Sequence, residues 1–267
     1  MCALKIRIKF RKQGFVRFVG HLDLMRTYQK TMKRADVAIK YSGGFSPHQI
    51  MSFASPLSVG MISNGEYMDI EVEHCGTSAE MVEQVNSCVP EGMDILSWRQ
   101  LDDNTKNAMS QVAFADYKVW FKEGSAPESE EEFWAGFGRF VEQDHIPYVK
   151  KTKKGEKELD LRERILEARP TTPLGIMAVM FGDAKIGDFD RVLISDPSER
   201  SGYFLRLASG SAANTKPEQV LEAYCASIGM EYPKFDIQVE REELYANVGT
   251  EEAPVLKSLE DFGKEIR

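Results

Sequence analysis

Residues 4–10 read LKIRIKF, and they alternate without a break. Leu4, Ile6, Ile8 and Phe10 fall on one side; Lys5, Arg7, Lys9 and, one step on, Arg11 fall on the other. A period of two over seven residues is a β-strand with an apolar core face and a cationic face. Like charges in line repel one another, so the cationic face calls for an anionic partner; the alternative is a solvated strand face. Outward from this strand, Lys12-Gln13-Gly14 turns the chain, and FVRFV (15–19) is expected to pair back as a hairpin. Gly20-His21-Leu22-Asp23 opens a helix running to about Ala35, with Asp23 at its positive end. Leu22, Met25, Gln29, Met32 and Ala35 make its inward stripe, and Arg26, Lys30 and Lys33/Arg34 a basic stripe on another face. VAIKY (37–41), EYMDIEVE (66–73) and MDILSW (93–98) read as strands, with a bulge expected in the second. Thr77-x-x-Glu80 is a capping box that starts a second helix. The order to this point is β-α-β-β-α-β.

Asp102 to Asn107 is polar and aperiodic, which places a boundary there. The second half repeats the pattern. VAFADYKVWF (112–121), IPYVKK (146–151), PLGIMAVMF (173–181), YFLRLA (203–208) and FDIQVERE (235–242) read as strands. Capping boxes at Ser129-x-x-Glu132 and Thr215-x-x-Glu218 open two helices. From about Asn247 the pattern is lost; VLKSLEDF (255–262) is a short helix or part of a frayed tail. The expected fold is α+β, two tandem ferredoxin-like (βαββαβ) modules with antiparallel sheets. Its expected parts are a module over 1–101 with a basic face, a linker over 102–111, a module over 112–245 and a tail over 246–267.

Charge is divided unevenly. Residues 1–60 hold eleven Lys+Arg and two Asp+Glu, a net +9, while the other 207 residues carry 23 basic and 40 acidic side chains, a net −17. An overall −8 argues against a protein that coats nucleic acid everywhere, but a basic lobe implies a local anionic partner. The four cysteines, Cys2, Cys75, Cys88 and Cys225, have no CxxC or CxxxCxxC spacing, so no iron–sulfur or structural zinc site is expected in this chain. Scattered thiols, no leader-like segment and no long apolar run together read as cytoplasmic, with no membrane partner. No nucleotide-binding glycine motif, nucleophile elbow or zinc-protease motif is present.

Tyr41 to Phe53, YSGGFSPHQIMSF, reads as a loop with a function. Gly43-Gly44 permits unusual backbone angles, Pro47 stiffens the turn, and Tyr41, Phe45 and Phe53 offer faces on which bases stack. The competing reading is a rigid crossover whose rings plug the core. His48 lies in this loop and His21 at a helix N-terminus, where the dipole disfavours its charged form; these two are the catalytic candidates. His74 and His145 read as surface or structural. A hairpin around Gly155 clusters Lys150, Lys151, Lys153, Lys154 and Lys157, fit to grip phosphates or offset by Glu156, Glu158 and Asp160. The RNA-contact candidates are Lys5, Arg7, Lys9, Arg11, Arg26, Lys30, Arg34, Tyr41, Gly43, Gly44, Phe45, His48, Lys151, Lys153 and Lys154. No metal ligands are assigned.

Four segments together resemble the radical SAM-linked (radical SAM-associated) protein family, a bacterial domain of unknown function. They are KIRIKFRKQGFVRFVGHLDLMR (5–26), YSGGFSPHQIMSFASPLSVGMISNGEYMDIEVE (41–73), KKTKKGEKELDLRERI (150–165) and KPEQVLEAY (216–224). The family's members stand alone or follow a radical SAM enzyme, with genes beside those of an RNA-processing ribonuclease and ribosomal proteins. The resemblance therefore implies an accessory RNA-binding protein for a separate radical SAM enzyme, acting in tRNA or rRNA modification or processing. The iron–sulfur cluster and S-adenosylmethionine are then expected in the partner only. Gly20 stands where that family leads one to expect a Ser before His-Leu-Asp, so no catalytic hydroxyl is expected there. Two alternatives stand beside this one. One is a metal-independent endoribonuclease similar to CRISPR repeat-processing enzymes, with a His as general base on the 2′-OH. The other is a docking partner of the enzyme with no RNA involved.

Overall fold

A computed structural model describes residues 3–152, 155–171, 201–210 and 213–267. The strand expected over 173–181 lies outside them. The chain divides into two compact units. Met1–Ala115, Ser209–Ala212 and Glu240–Arg267 form the first; Asp116–Ala208 and Ala213–Val239 form the second.

In the first unit β1 (Leu4–Lys12) is followed by a 3₁₀ helix (Gly14–Phe18), α1 (His21–Arg34), β2 (Met51–Phe53), β3 (Ile62–Val72), α2 (Ser78–Asn86), β4 (Ile95–Leu101) and the single turn α3 (Ala108–Gln111). The chain continues through β5 (Val112–Phe121), α4 (Glu130–Val141), β6 (Pro147–Thr152), β7 (Gly155–Asp160), β8 (Ile165–Pro170), β9 (Gly202–Ala208) and α5 (Pro217–Ser227). It ends with β10 (Ile237–Asn247), β11 (Leu256–Ser258), a 3₁₀ turn (Leu259–Phe262) and β12 (Gly263–Lys264).

β1 is the strand its alternation predicts. Ile6, Ile8 and Phe10 are fully buried against Leu24, Tyr28 and Met32 of α1 and Met81 and Val85 of α2. Each such side chain contributes about 1.5–3 kcal/mol of transfer free energy. β1 pairs antiparallel with β3 (Ile6↔Ile70) and with β4 (Ile8↔Trp98). The register slips between Phe10 and Lys12, opposite Glu66 and Ser63, so the irregularity precedes the expected stretch, whose Glu66 to Val72 pair with β1 without a break. The Thr77 capping box forms as expected: Glu80 N donates to Thr77 Oγ1 at 3.3 Å, and Thr77 N donates to Glu80 Oε2 at 2.8 Å.

The expectation of two tandem ferredoxin-like modules with antiparallel sheets is overturned. Ten described strands share one sheet in the order β12-β4-β1-β3-β10-β5-β9-β8, with β2 beside β3 and β11 beside β10; β6 and β7 pair separately. A parallel pairing of β10 with β3 (Glu240↔Ile62, Arg241↔Ser63) lies within this sheet. The cause is visible at the β3 edge. β2 has three residues and covers Met68–Ile70 alone. Ile62 and Ser63, at the start of this eleven-residue strand, lie beyond β2, and β10 pairs with them there.

Smaller expectations change too. FVRFV is no strand: Gly14 takes φ +60° and the next residues coil into the 3₁₀ helix. VAIKY makes only the isolated bridges Ile39↔Val72 and Tyr41↔Gln49. Helix α1 is rotated from the expected stripe, burying Leu24, Tyr28, Thr31 and Met32 and leaving Leu22 exposed. The segment from 255 on, expected as a short helix or a frayed tail, carries β11, the 3₁₀ turn and β12, and β12 pairs with β4 through Gly263↔Leu101. In the second unit an aromatic core joins Phe121, Phe133, Trp134 and Phe137 to Tyr203 and Tyr224. Gly138 lets α4 approach that core closely, since a Cβ there would lie 2.2 Å from the Tyr203 hydroxyl.

Candidate nucleic-acid interface

Strand pairing decides what the β1 cations can do. Arg7 is 1% exposed and makes a two-pronged ion pair with Asp69, Nε to Oδ1 at 2.8 Å and Nη2 to Oδ2 at 2.9 Å. Its Nη1 donates to the Leu259 carbonyl at 3.0 Å. Lys9 meets Glu243 at 2.8 Å and Glu260 at 3.5 Å. Burial would lower the Lys9 pKa, but the two carboxylates outweigh it and hold the ammonium above its usual range. Burial, reinforced by Glu243, raises the Tyr67 phenol in the same cluster. Arg11 pairs with Asp94 at 2.8 Å, and Lys5 donates to the Asp103 carbonyl. Lys5 also lines a cleft of about 350 Å³ with Ile50, Ser52, Asp69, Thr105 and Asn107. Thus Arg7 and Lys9, read from sequence as phosphate contacts, face carboxylates supplied by β3 and the C-terminal segment.

Helix α1 behaves differently. Lys30, Lys33 and Arg34 are exposed and lack a carboxylate partner among the described residues; Arg34 donates to the Cys88 carbonyl at 2.9 Å. Arg26 pairs with Asp23, one turn away, at 3.2 Å and in solvent. The Tyr41–Phe53 stretch docks on this helix, because the buried Gln49 side chain donates to the Gln29 carbonyl at 3.1 Å. Its tip projects outward. Ser42 N donates to the His48 carbonyl at 2.8 Å, closing the loop, and Gly44 needs glycine at φ +96°. Phe45 is fully exposed and Tyr41 half exposed, whereas Phe53 is core, in edge contact with Phe10 and His21. The tip of the loop is exposed, and its return strand plugs the core.

The histidines have separate partners. His21 packs its ring on Phe53 at 5.4 Å between centroids, while His48 Nδ1 lies 2.9 Å from Ser42 Oγ. Gln49 docks eight residues along α1 from His21, a rise of about 12 Å. His145 is exposed and bonded to Asp160, whose hydrogen bond and charge raise its pKa. In the basic hairpin, Lys150 donates to the Asn214 carbonyl at 3.2 Å. The side chains of Lys151, Lys153 and Lys154 lie outside the described residues. Among the described residues no group of three His, Cys, Asp or Glu side chains could hold a metal, and no helix is long and apolar enough to cross a membrane.

Sequence reasoning missed Phe15, Arg17 and Phe18. Phe15 is 92% exposed and Phe18 60%, and the Arg17 guanidinium lies 4.9 Å from the centroid of the Phe18 ring. The usable signal was their i, i+3 spacing after a glycine, which a strand reading hides.

The fold and this face define a mixed α/β protein with a ten-stranded sheet and a cationic, ring-bearing helix and loop. The family model described as an uncharacterized protein conserved in bacteria (DUF2344) matches residues 5–189, and the chain belongs to that family. No curated protein matches the chain.

Proposed function

We propose that this protein is an RNA-binding accessory polypeptide that presents tRNA or rRNA to a separate radical SAM enzyme in the cytoplasm. The observation that carries the RNA reading is the exposed row Lys30, Lys33 and Arg34, none of which has a carboxylate partner among the described residues. The chain is net acidic, so a row of unneutralised cations is informative. Exposed Tyr41 and Phe45 belong to the loop that docks on the same helix. The radical SAM partner rests on the sequence resemblance, and in this reading the iron–sulfur cluster and S-adenosylmethionine reside in that enzyme.

The test is fluorescence anisotropy with a labelled single-stranded 16-mer RNA, titrated across KCl concentrations. Each phosphate contact to a single strand contributes about 0.7 to the slope of log K against log salt, so the Lys30→Ala/Lys33→Ala/Arg34→Ala variant should flatten it by about 2. An unchanged affinity and slope would remove the reading.

A further inference from the structure

Resting on the RNA reading, we infer that the 3₁₀ helix Gly14–Phe18 is a stacking site for unpaired bases of single-stranded RNA, with Phe15 and Phe18 as the platforms. Apolar rings left in water on a firmly held turn call for an occupant. The turn buries none of its residues, yet it is tied down from several sides. Lys12, itself 1% exposed, donates its ammonium to the Arg17 carbonyl at 3.1 Å, and Gly60 N donates to the same oxygen at 2.8 Å. Gln13 N donates to the Gly92 carbonyl at 2.8 Å, and the Gln13 side chain donates to Asn64 and Glu240. Such anchoring fixes the backbone that carries the two rings before any ligand arrives, which lowers the ordering cost of binding.

Geometry and charge choose the occupant. Residues i and i+3 of a 3₁₀ helix stand above one another, about 6 Å apart. That exceeds the roughly 3.4 Å rise of stacked nucleotides, so bases seated on the two rings are separated from each other, as in an unpaired strand. Arg17 adds a guanidinium beside the Phe18 ring. From Arg11 to Arg34 the chain carries seven Lys+Arg against Asp23, matching a polyanion rather than an apolar peptide.

The experiment compares the wild-type chain with the Phe15→Ala/Phe18→Ala variant on three probes: oligouridylate 12-mer, an abasic sugar-phosphate 12-mer, and a 12-base-pair RNA duplex. Base–aromatic contacts predict that the variant loses about 10-fold or more on oligouridylate relative to the abasic strand and the duplex. Equal losses on all three probes, or none, overturn the stacking site. If the variant keeps its RNA affinity but no longer co-elutes with a purified radical SAM partner, the rings are a protein dock and the inference fails alone. If the wild-type chain binds none of the probes, the RNA reading fails and this inference with it.

Discussion

The cations of β1 and those of α1 lie within thirty residues of one another and have opposite fates. Arg7 is buried in a bidentate pair with Asp69, and Lys9 sits between Glu243 and Glu260. Lys30 and Lys33 stay in water without a carboxylate partner among the described residues. A strand in the middle of a sheet has two faces, and the one opposite the core is available for the chain itself to cover. A helix packed on that sheet always keeps one face outside. The N-terminal excess of positive charge therefore splits into a part neutralised within the fold and a part that stays in solvent.

The comparison breaks most readily at Arg7. Arg7→Ala leaves Asp69 without its guanidinium and strips the Leu259 and Lys106 carbonyls of a donor. Removing one member of a buried pair costs about 3–5 kcal/mol, to be read from urea unfolding. A loss under about 1 kcal/mol would show that Arg7 acts as a surface charge. The Lys30→Ala/Lys33→Ala/Arg34→Ala variant sharpens the contrast: its stability should change by no more than about 0.5 kcal/mol per site, while RNA affinity drops. A coincident collapse of stability would assign the α1 row to the fold.

Much of the fold was legible and some was not, for identifiable reasons. β1 and α1 follow from periodicity because burial on one face repeats along the chain. The C-terminal segment has no such repeat. Individual bonds hold it instead, among them Arg99 to Glu260 at 3.0 Å and Ser78 N to the Ile266 carbonyl at 2.9 Å. The phase of α1 was missed because the expected stripe left out Tyr28, which is fully buried with its hydroxyl donating to the Met93 carbonyl. Of the candidate site, the loop announced itself through Gly44 and Pro47. The fate of Arg7 and Lys9 depended on residues some 60 to 250 positions away, which no local reading reaches.

Acid titration tests the neutralised side more gently. Burial would raise the Glu260 pKa, but bonds to Ser97 and Arg99 and the charges of Lys9 and Arg99 outweigh it, leaving the folded value below the ordinary one. A depressed folded pKa stabilises the protein above the unfolded carboxylate range, and that contribution fades as the pH falls through the folded value. Wild type should therefore exceed Glu260→Gln in stability at neutral pH, with the difference shrinking below the usual carboxylate range. A difference that is constant with pH would place the effect in packing rather than charge.

The smallest expected change in stability comes from His48→Ala, at the tip of the loop docked on α1. The imidazole is exposed, and its Nδ1 touches Ser42 Oγ at 2.9 Å and the Ser46 carbonyl at 3.4 Å. The loop's closure does not depend on that ring: His48 N still donates to Ser42 Oγ, Ser42 N to the His48 carbonyl, and Gln49 still anchors to Gln29. Losing one exposed hydrogen bond should cost less than about 1 kcal/mol. Ser42→Ala removes an acceptor of the backbone as well as the ring's partner, so it should cost at least as much. If the RNA reading holds, His48→Ala weakens RNA binding while the melting temperature hardly moves. A melting temperature that falls by several degrees, more than for Ser42→Ala, would make His48 a brace for the loop and leave the α1 cations and the 3₁₀ rings as the interface.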